Sequence, residues 1–365
     1  MKMVLRVFLV TSTLFLIIAA KASALTMQQE IQSLNQDFGH SQSYPIFILD
    51  KVDIRNFLSS NNLNAKSSQQ DLVKALMIYV YQKFNYKAEP SDVFELLSYI
   101  VGQNTGASAM PFFVDTVHHE MKYCVVLPSD ALADHAAEVK RILGADGQEE
   151  IFKDLNLEEV GRLLTTEEIQ LFSLYHETSH CLDQKYLPQM YESSETDPYA
   201  VHKAEAFAEI NALFLLNQRK GLNQLGYPRS LIRTAYSKFY GPFLAQSDSP
   251  WTNPVVKWGG STYFLAAPLL KAQNAISADS QKMAAMSLAE TISASQNIID
   301  TTVMSKYGFE ALQMNFSNGR TETLAHYEML ATKAPRIFGT SYQELQDALV
   351  LLDSVQEKIS TYQKQ

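Results

Sequence analysis

The sequence predicts an α+β fold that is mainly helical, with a small β-sheet or hairpin in its first half. Three observations predict it. Apolar residues recur at helical spacing, as at Leu72, Leu76, Val80 and Phe84. Short apolar runs that read as strands are confined to the stretch before residue 130, chiefly 44–50, 112–117 and 121–127. Helix-start signals, Thr165 with Glu168 and Asp197 with Pro198, then open two segments in the middle of the chain.

In order, residues 25–40 are polar and helical, 44–50 a strand, 53–57 a single turn and 59–68 a Ser/Asn-rich loop. Helices follow at 69–84 and 91–101. A small-residue loop, 102–110, leads into the strands 112–117 and 121–127, which read as a hairpin. His118-His119-Glu120 at its tip reads as a polar turn. Beyond it the chain is helical: 131–143, 151–164, 165–187, 197–220, 228–243, 277–297, 322–332 and 341–363. Residues 248–260, with both tryptophans, read as an ordered loop. Trp251 and Trp258, with nearby Tyr263 and Phe264, belong either to the core or to a cleft wall.

With 365 residues, 46% hydrophobic and 19% charged, the chain can bury a sizeable core. No linker interrupts it, so 25–365 is expected to form a single domain. Residues 1–24 read as a signal peptide. Lys2 and Arg6 precede an apolar run, and Ala22-Ser23-Ala24 is a small-residue cleavage site. The alternative is a retained anchor, but the run is short for a bilayer span. The expected location is therefore exported, periplasmic or secreted, with no stable membrane span after cleavage. The formal charge of -9 becomes more acidic once Lys2, Arg6 and Lys21 leave, which argues against a nucleic-acid partner. Cys124 and Cys181 are the only cysteines. An oxidising compartment permits one disulfide between them, and two separate buried thiols are the alternative.

The chemistry sits in 165–187. His176-Glu177-Thr178-Ser179-His180 is the HExxH pattern of zinc-dependent hydrolases. Residues four apart share a helix face, so both imidazoles can reach one ion, and Glu177 stands beside them as a base for water. Ile169, Phe172, His176, His180 and Asp183 form one stripe, expected to face a cleft. Leu171, Leu174, Tyr175, Thr178 and Leu182 form another, expected to be buried. Pro188 is expected to end the helix.

Zinc takes three protein ligands and keeps a fourth position open. The next helix places Glu205 and Glu209 one turn apart among Ala and Phe residues. Paired carboxylates on an apolar helix are costly unless something positive neutralises them. Glu205 as a ligand, with Glu209 holding a ligand histidine, would explain both. A solvated acidic edge is the alternative. His202, one turn before Glu205, is the rival third ligand.

HExxH followed by a helical Glu-x-x-x-Glu resembles the gluzincin zinc metallopeptidases. His176-Glu177-Thr178-Ser179-His180-Cys181-Leu182-Asp183 and Glu205-Ala206-Phe207-Ala208-Glu209 look like the HExxHxxD and E-F-F-A-E motifs of the lethal-factor and Mlc-titration-factor branch. The resemblance spans about fifty residues. It implies a zincin-like fold and one Zn2+ per chain on His176, His180 and Glu205. Glu177 would be the general base, with Glu209 behind the ligands. Asp183, on the histidine stripe but too far along the axis to coordinate easily, fits a place behind the ligands or a role in positioning the helix. The resemblance also implies a tyrosine shortly before the ligand glutamate as transition-state donor, where Tyr199 stands. His326 and Tyr327 are the alternatives.

The function expected is an exported zinc metallopeptidase acting on peptide or protein substrate. A zincin-like binding or inhibitory protein without turnover, and a metal-free helical protein with an accidental HExxH, are the other readings.

Overall fold

The computed structural model describes residues 27–40, 44–101, 105–114, 120–145, 148–191, 197–246 and 254–363. The signal peptide, His118, His119 and Trp251 lie outside them. The chain divides into two compact units, Met1–Val114 with Met121–Ser129, and Asp115–Glu120 with Asp130–Gln365. It is mainly helical, with one small sheet. Among the described residues no helix is long and apolar enough to cross a membrane.

In the first unit a helix over 27–38 (α1) precedes β1 (Ile46–Ile48), α2 (Lys51–Ser60), α3 (Gln69–Phe84), α4 (Pro90–Val101), β2 (Ser108–Phe113) and β3 (Met121–Leu127). α2 runs for ten residues where one turn was expected, because the Asp50 carboxylate accepts the Val52 amide and nucleates it. The sheet order is β1-β3-β2, with β3 parallel to β1 and antiparallel to β2. The hairpin pairs Ser108 with Leu127 and Phe113 with Met121. Its first strand therefore starts at Ser108 rather than 112, inside the expected loop. Met110 and Phe112 alternate into the core there, and Pro111 is tolerated because β2 is an edge strand.

The parallel partnership of β1 was not foreseen. Asn35 of α1 closes the outer side of β1, donating to the Ile48 carbonyl at 2.9 Å and accepting the Ile48 amide at 2.8 Å. Phe47, Leu76, Tyr79, Val93, Leu97 and Tyr123 form the core of this unit. Cys124, on β3, is buried and disulfide-bonded.

The second unit contains α5 (His135–Ile142), α6 (Leu157–Gly161), α7 (Thr166–Leu182), α8 (Pro198–Lys220), α9 (Gly226–Ala245), α10 (Pro254–Lys257), α11 (Gly259–Thr262), α12 (Ala266–Ala278), α13 (Ser280–Ala284), α14 (Leu288–Thr302), α15 (Lys306–Asn318), α16 (Arg320–Lys333) and α17 (Pro335–Thr361). The helix expected over 277–297 is three pieces. Asp279 caps α13, and a Ser287–Glu290 capping box opens α14, so two local start signals override the continuous apolar pattern. α15 was not expected at all. The Trp258 loop folds partly into α10 and α11, and Trp258 packs on the cluster of Phe264, Leu312, Phe316 and Leu345.

Candidate metal centre

α7 starts where the sequence places it. Thr165 accepts the Glu168 amide, and Glu168 accepts the Thr165 amide at 2.8 Å, completing the capping box. Its end is different. The helix stops at Leu182, well before Pro188, because Asp183 turns extended. The Asp183 carboxylate accepts the amides of Lys185 (3.0 Å), Tyr186 (2.8 Å) and Leu187 (2.9 Å), so the side chain builds the turn that ends the helix. Burial pushes this carboxyl up to about 6 against those amide bonds. Asp183 thus anchors the backbone just past His180.

α8 is capped by Asp197, opened by Pro198 and closed by Gly221, as expected, with Gly221 in the left-handed region that Gly alone adopts without penalty (φ 67°). It is buried on all sides from Ala204 to Leu216. Both stripes of α7 are buried as well, so the histidine stripe does not lie open: His176 and His180 are each 7% exposed.

The two helices bring His176, His180 and Glu205 together, with one donor atom from each within 4.8 Å of the others. The imidazoles stand at 90° in a T-shaped arrangement, with their Nε2 atoms 3.1 Å apart. Glu205 places Oε2 at 3.3 Å from His176 Nε2 and Oε1 at 3.6 Å from His180 Nε2. No other such cluster occurs among the described residues. Burial opposes the charged forms, yet the Glu205 carboxylate holds His180 up at about 9, and the histidines hold Glu205 well below the usual carboxylate range.

A divalent cation fits this donor set. Two imidazoles and one carboxylate offer three donors, and Glu205 Oε2 lacks a hydrogen-bond partner although buried.

His202 is not in the cluster. Its Nδ1 donates to the Thr262 carbonyl at 2.8 Å, and burial lowers its pKa to about 4, leaving a neutral core imidazole. Tyr199 is committed elsewhere: its hydroxyl donates to the Met304 carbonyl at 2.9 Å. Tyr327 is buried in the apolar cluster with Leu312 and Leu345, and His326 is exposed. Glu177 is half-buried beside the histidines, and its charge acts on both His180 and Tyr263. Cys181, next to His180, is buried and disulfide-bonded.

Two residues at the site, Arg229 and Arg233, were missed in the sequence. Glu209 is neutralised by arginines rather than by a metal. Arg229 donates Nε and Nη2 to its carboxylate (2.9 and 2.7 Å), and Arg233 donates Nε (2.7 Å). Burial opposes the charge on Glu209, but the two guanidiniums hold its carboxyl down at about 2. Tyr263, read from the sequence only as core or cleft wall, also lies here. Its ring lies over the Arg233 guanidinium (4.6 Å), and the charge of Glu205, followed by burial, pushes its hydroxyl well above the usual range. α11 carries it against α9 through two glycines, since a Cβ on Gly260 would collide with Gly241 Cα. The signal for the arginines was present: Arg229 and Arg233 are one turn apart on one helix, the spacing that flagged Glu205 and Glu209.

No family model, curated protein or solved structure matches this chain.

Proposed function

We propose that the chain is an exported zinc-dependent peptidase of the zincin type. The supporting observation is the buried convergence of His176, His180 and Glu205 from two capped helices, with Glu177 between the histidines. His176, His180 and Glu205 would hold the ion. Zinc, when bound, supplies Lewis acidity toward a water and toward the scissile carbonyl. Glu177 takes the proton from the attacking water and delivers it to the leaving amine. Tyr263, rather than Tyr199, donates to the oxygen on which negative charge develops. A donor must stay protonated, and the neighbouring Glu205 charge together with burial keeps this phenol so. Glu209 stands behind His176, with Oε1 at 3.6 Å from Nδ1. The reading of residues 1–24 as a signal peptide supports export.

The test is metal analysis of protein purified without chelators, then digestion of a peptide library by wild type and Glu177→Gln. About one zinc per chain is expected, with cleavage lost and metal retained in the variant. Protein without zinc overturns the reading. Zinc without hydrolysis of any peptide favours a non-catalytic binding protein of the cell envelope instead.

A further inference from the structure

Two guanidiniums converge on the single carboxylate of Glu209, which is completely buried. One would suffice. Arg229 already makes the two-pronged contact, with Nε and Nη2 on the two oxygens. Its guanidinium lies over the Phe172 ring at 4.7 Å. Arg233 goes further. Nη2 reaches Glu209 Oε1 at 2.5 Å and lies 3.9 Å from Glu205 Oε2, the oxygen that lacks a hydrogen-bond partner. The same guanidinium lies over the Tyr263 ring at 4.6 Å. Arg233 therefore faces the carboxylate behind His176, the carboxylate in the donor cluster and the ring of Tyr263. Burying a second cation here is costly unless its contacts repay it.

We propose that Arg233 is the positioning residue of this site, fixing the direction of the Glu205 carboxylate and the placement of Tyr263 relative to the bound ion. The inference rests on the zinc-peptidase reading and deepens it. Arg233 acts through its neighbours and touches no substrate. At 3.9 Å it steers Glu205 by charge without a hydrogen bond, so Glu205 keeps its lone pairs for the metal. The planar fork allows one side chain to hold Glu209 along one edge while its face packs on Tyr263, which an ammonium cannot do.

The comparison that tests it is Arg233→Met against Arg229→Met. Each removes one guanidinium and leaves Glu209 paired with the other, so neither strands the buried carboxylate. Zinc affinity is measured by chelator competition, and ligand geometry by the visible d–d spectrum of the cobalt-loaded protein. Arg233→Met is expected to weaken zinc binding at least tenfold, in the range typical for residues behind metal ligands, and to shift the cobalt bands. Arg229→Met is expected to change affinity less than about threefold, with the bands in place. If Arg233→Met does not fold, Arg233→Lys against Arg229→Lys gives the same contrast with charge retained. Equal shifts in the two variants of either pair overturn the positioning role while the zinc reading stands. Wild type that takes up neither ion overturns both.

Discussion

Asn211 and Ser179 join the two helices that carry the donor cluster: the Asn211 amide donates to the Ser179 hydroxyl at 3.1 Å, with both residues fully buried. The Ser179 hydroxyl donates in turn to the Tyr175 carbonyl at 2.7 Å, and Ser295 of α14 donates to Asn211 Oδ1 at 3.4 Å. The contact fixes the register of α7 against α8, on which the approach of Glu205 to the histidines depends.

Ser179→Ala leaves the Asn211 amide without its acceptor in a dry environment. A loss of about 1–3 kcal/mol is expected in urea denaturation. Asn211→Ala should cost a similar amount, and the double variant less than the sum, because both remove one shared contact. Strict additivity in the cycle would show that the two side chains do not interact.

Asp183→Ala removes the acceptor of three amides at the end of α7. Each amide left without a partner costs about 1–3 kcal/mol where water cannot reach it, so thermal denaturation should show a large drop in Tm. Asp183→Asn keeps the oxygen that serves Lys185 and Tyr186 and turns a donor toward Leu187, so its loss should be smaller. Equal losses from Asn and Ala would mean that these bonds do not hold the turn.

Tyr263→Phe and Tyr199→Phe separate the two hydroxyls. Removing the Tyr263 hydroxyl should lower kcat by about 10²–10³-fold with little change in KM, as for loss of a transition-state donor. Removing the Tyr199 hydroxyl should cost about 1 kcal/mol of stability through its bond to the Met304 carbonyl and leave kcat near wild type. The reverse pattern would return the donor role to Tyr199.

Glu209 makes stability depend on acid. Its folded carboxyl is held at about 2, below the ordinary 4.5, so the unfolded chain binds the proton first as pH falls. Its stabilising contribution is therefore complete above about pH 4.5 and disappears as pH approaches 2. Denaturant unfolding of metal-free protein between pH 5 and 2.5 should show this decline. Glu209→Gln should start lower by about 3–5 kcal/mol, since two arginines then share no carboxylate, and should decline less steeply. Parallel slopes for the two proteins would assign the acid sensitivity elsewhere.

Much of the second unit was legible. The Thr165–Glu168 box and the Asp197-Pro198 start are local signals, satisfied by residues within one turn, so they survive whatever the rest of the chain does. HExxH spacing likewise puts two imidazoles on one face without help from distant residues. Errors cluster where a continuous pattern hid a local signal that prevails in the fold: the break at Asp279 and the stop at Asp183 were both read through. In the first unit the pairing of β1 with β3 joins residues about eighty positions apart, and no periodicity within either strand encodes it.

The site shows the same division. By itself the sequence determined the two histidines, the glutamate between them and the paired glutamates of the next helix, because each pair is held by helix geometry alone. Tertiary structure decided how those glutamates divide their work. Glu205 turns to the histidines, while Glu209 is taken by Arg229 and Arg233 from a third helix. It also set Tyr263 over Arg233 and bound Tyr199 to Met304. A buried charge must find its partner in space, and the nearest opposite charge in a packed interior need not be near in sequence.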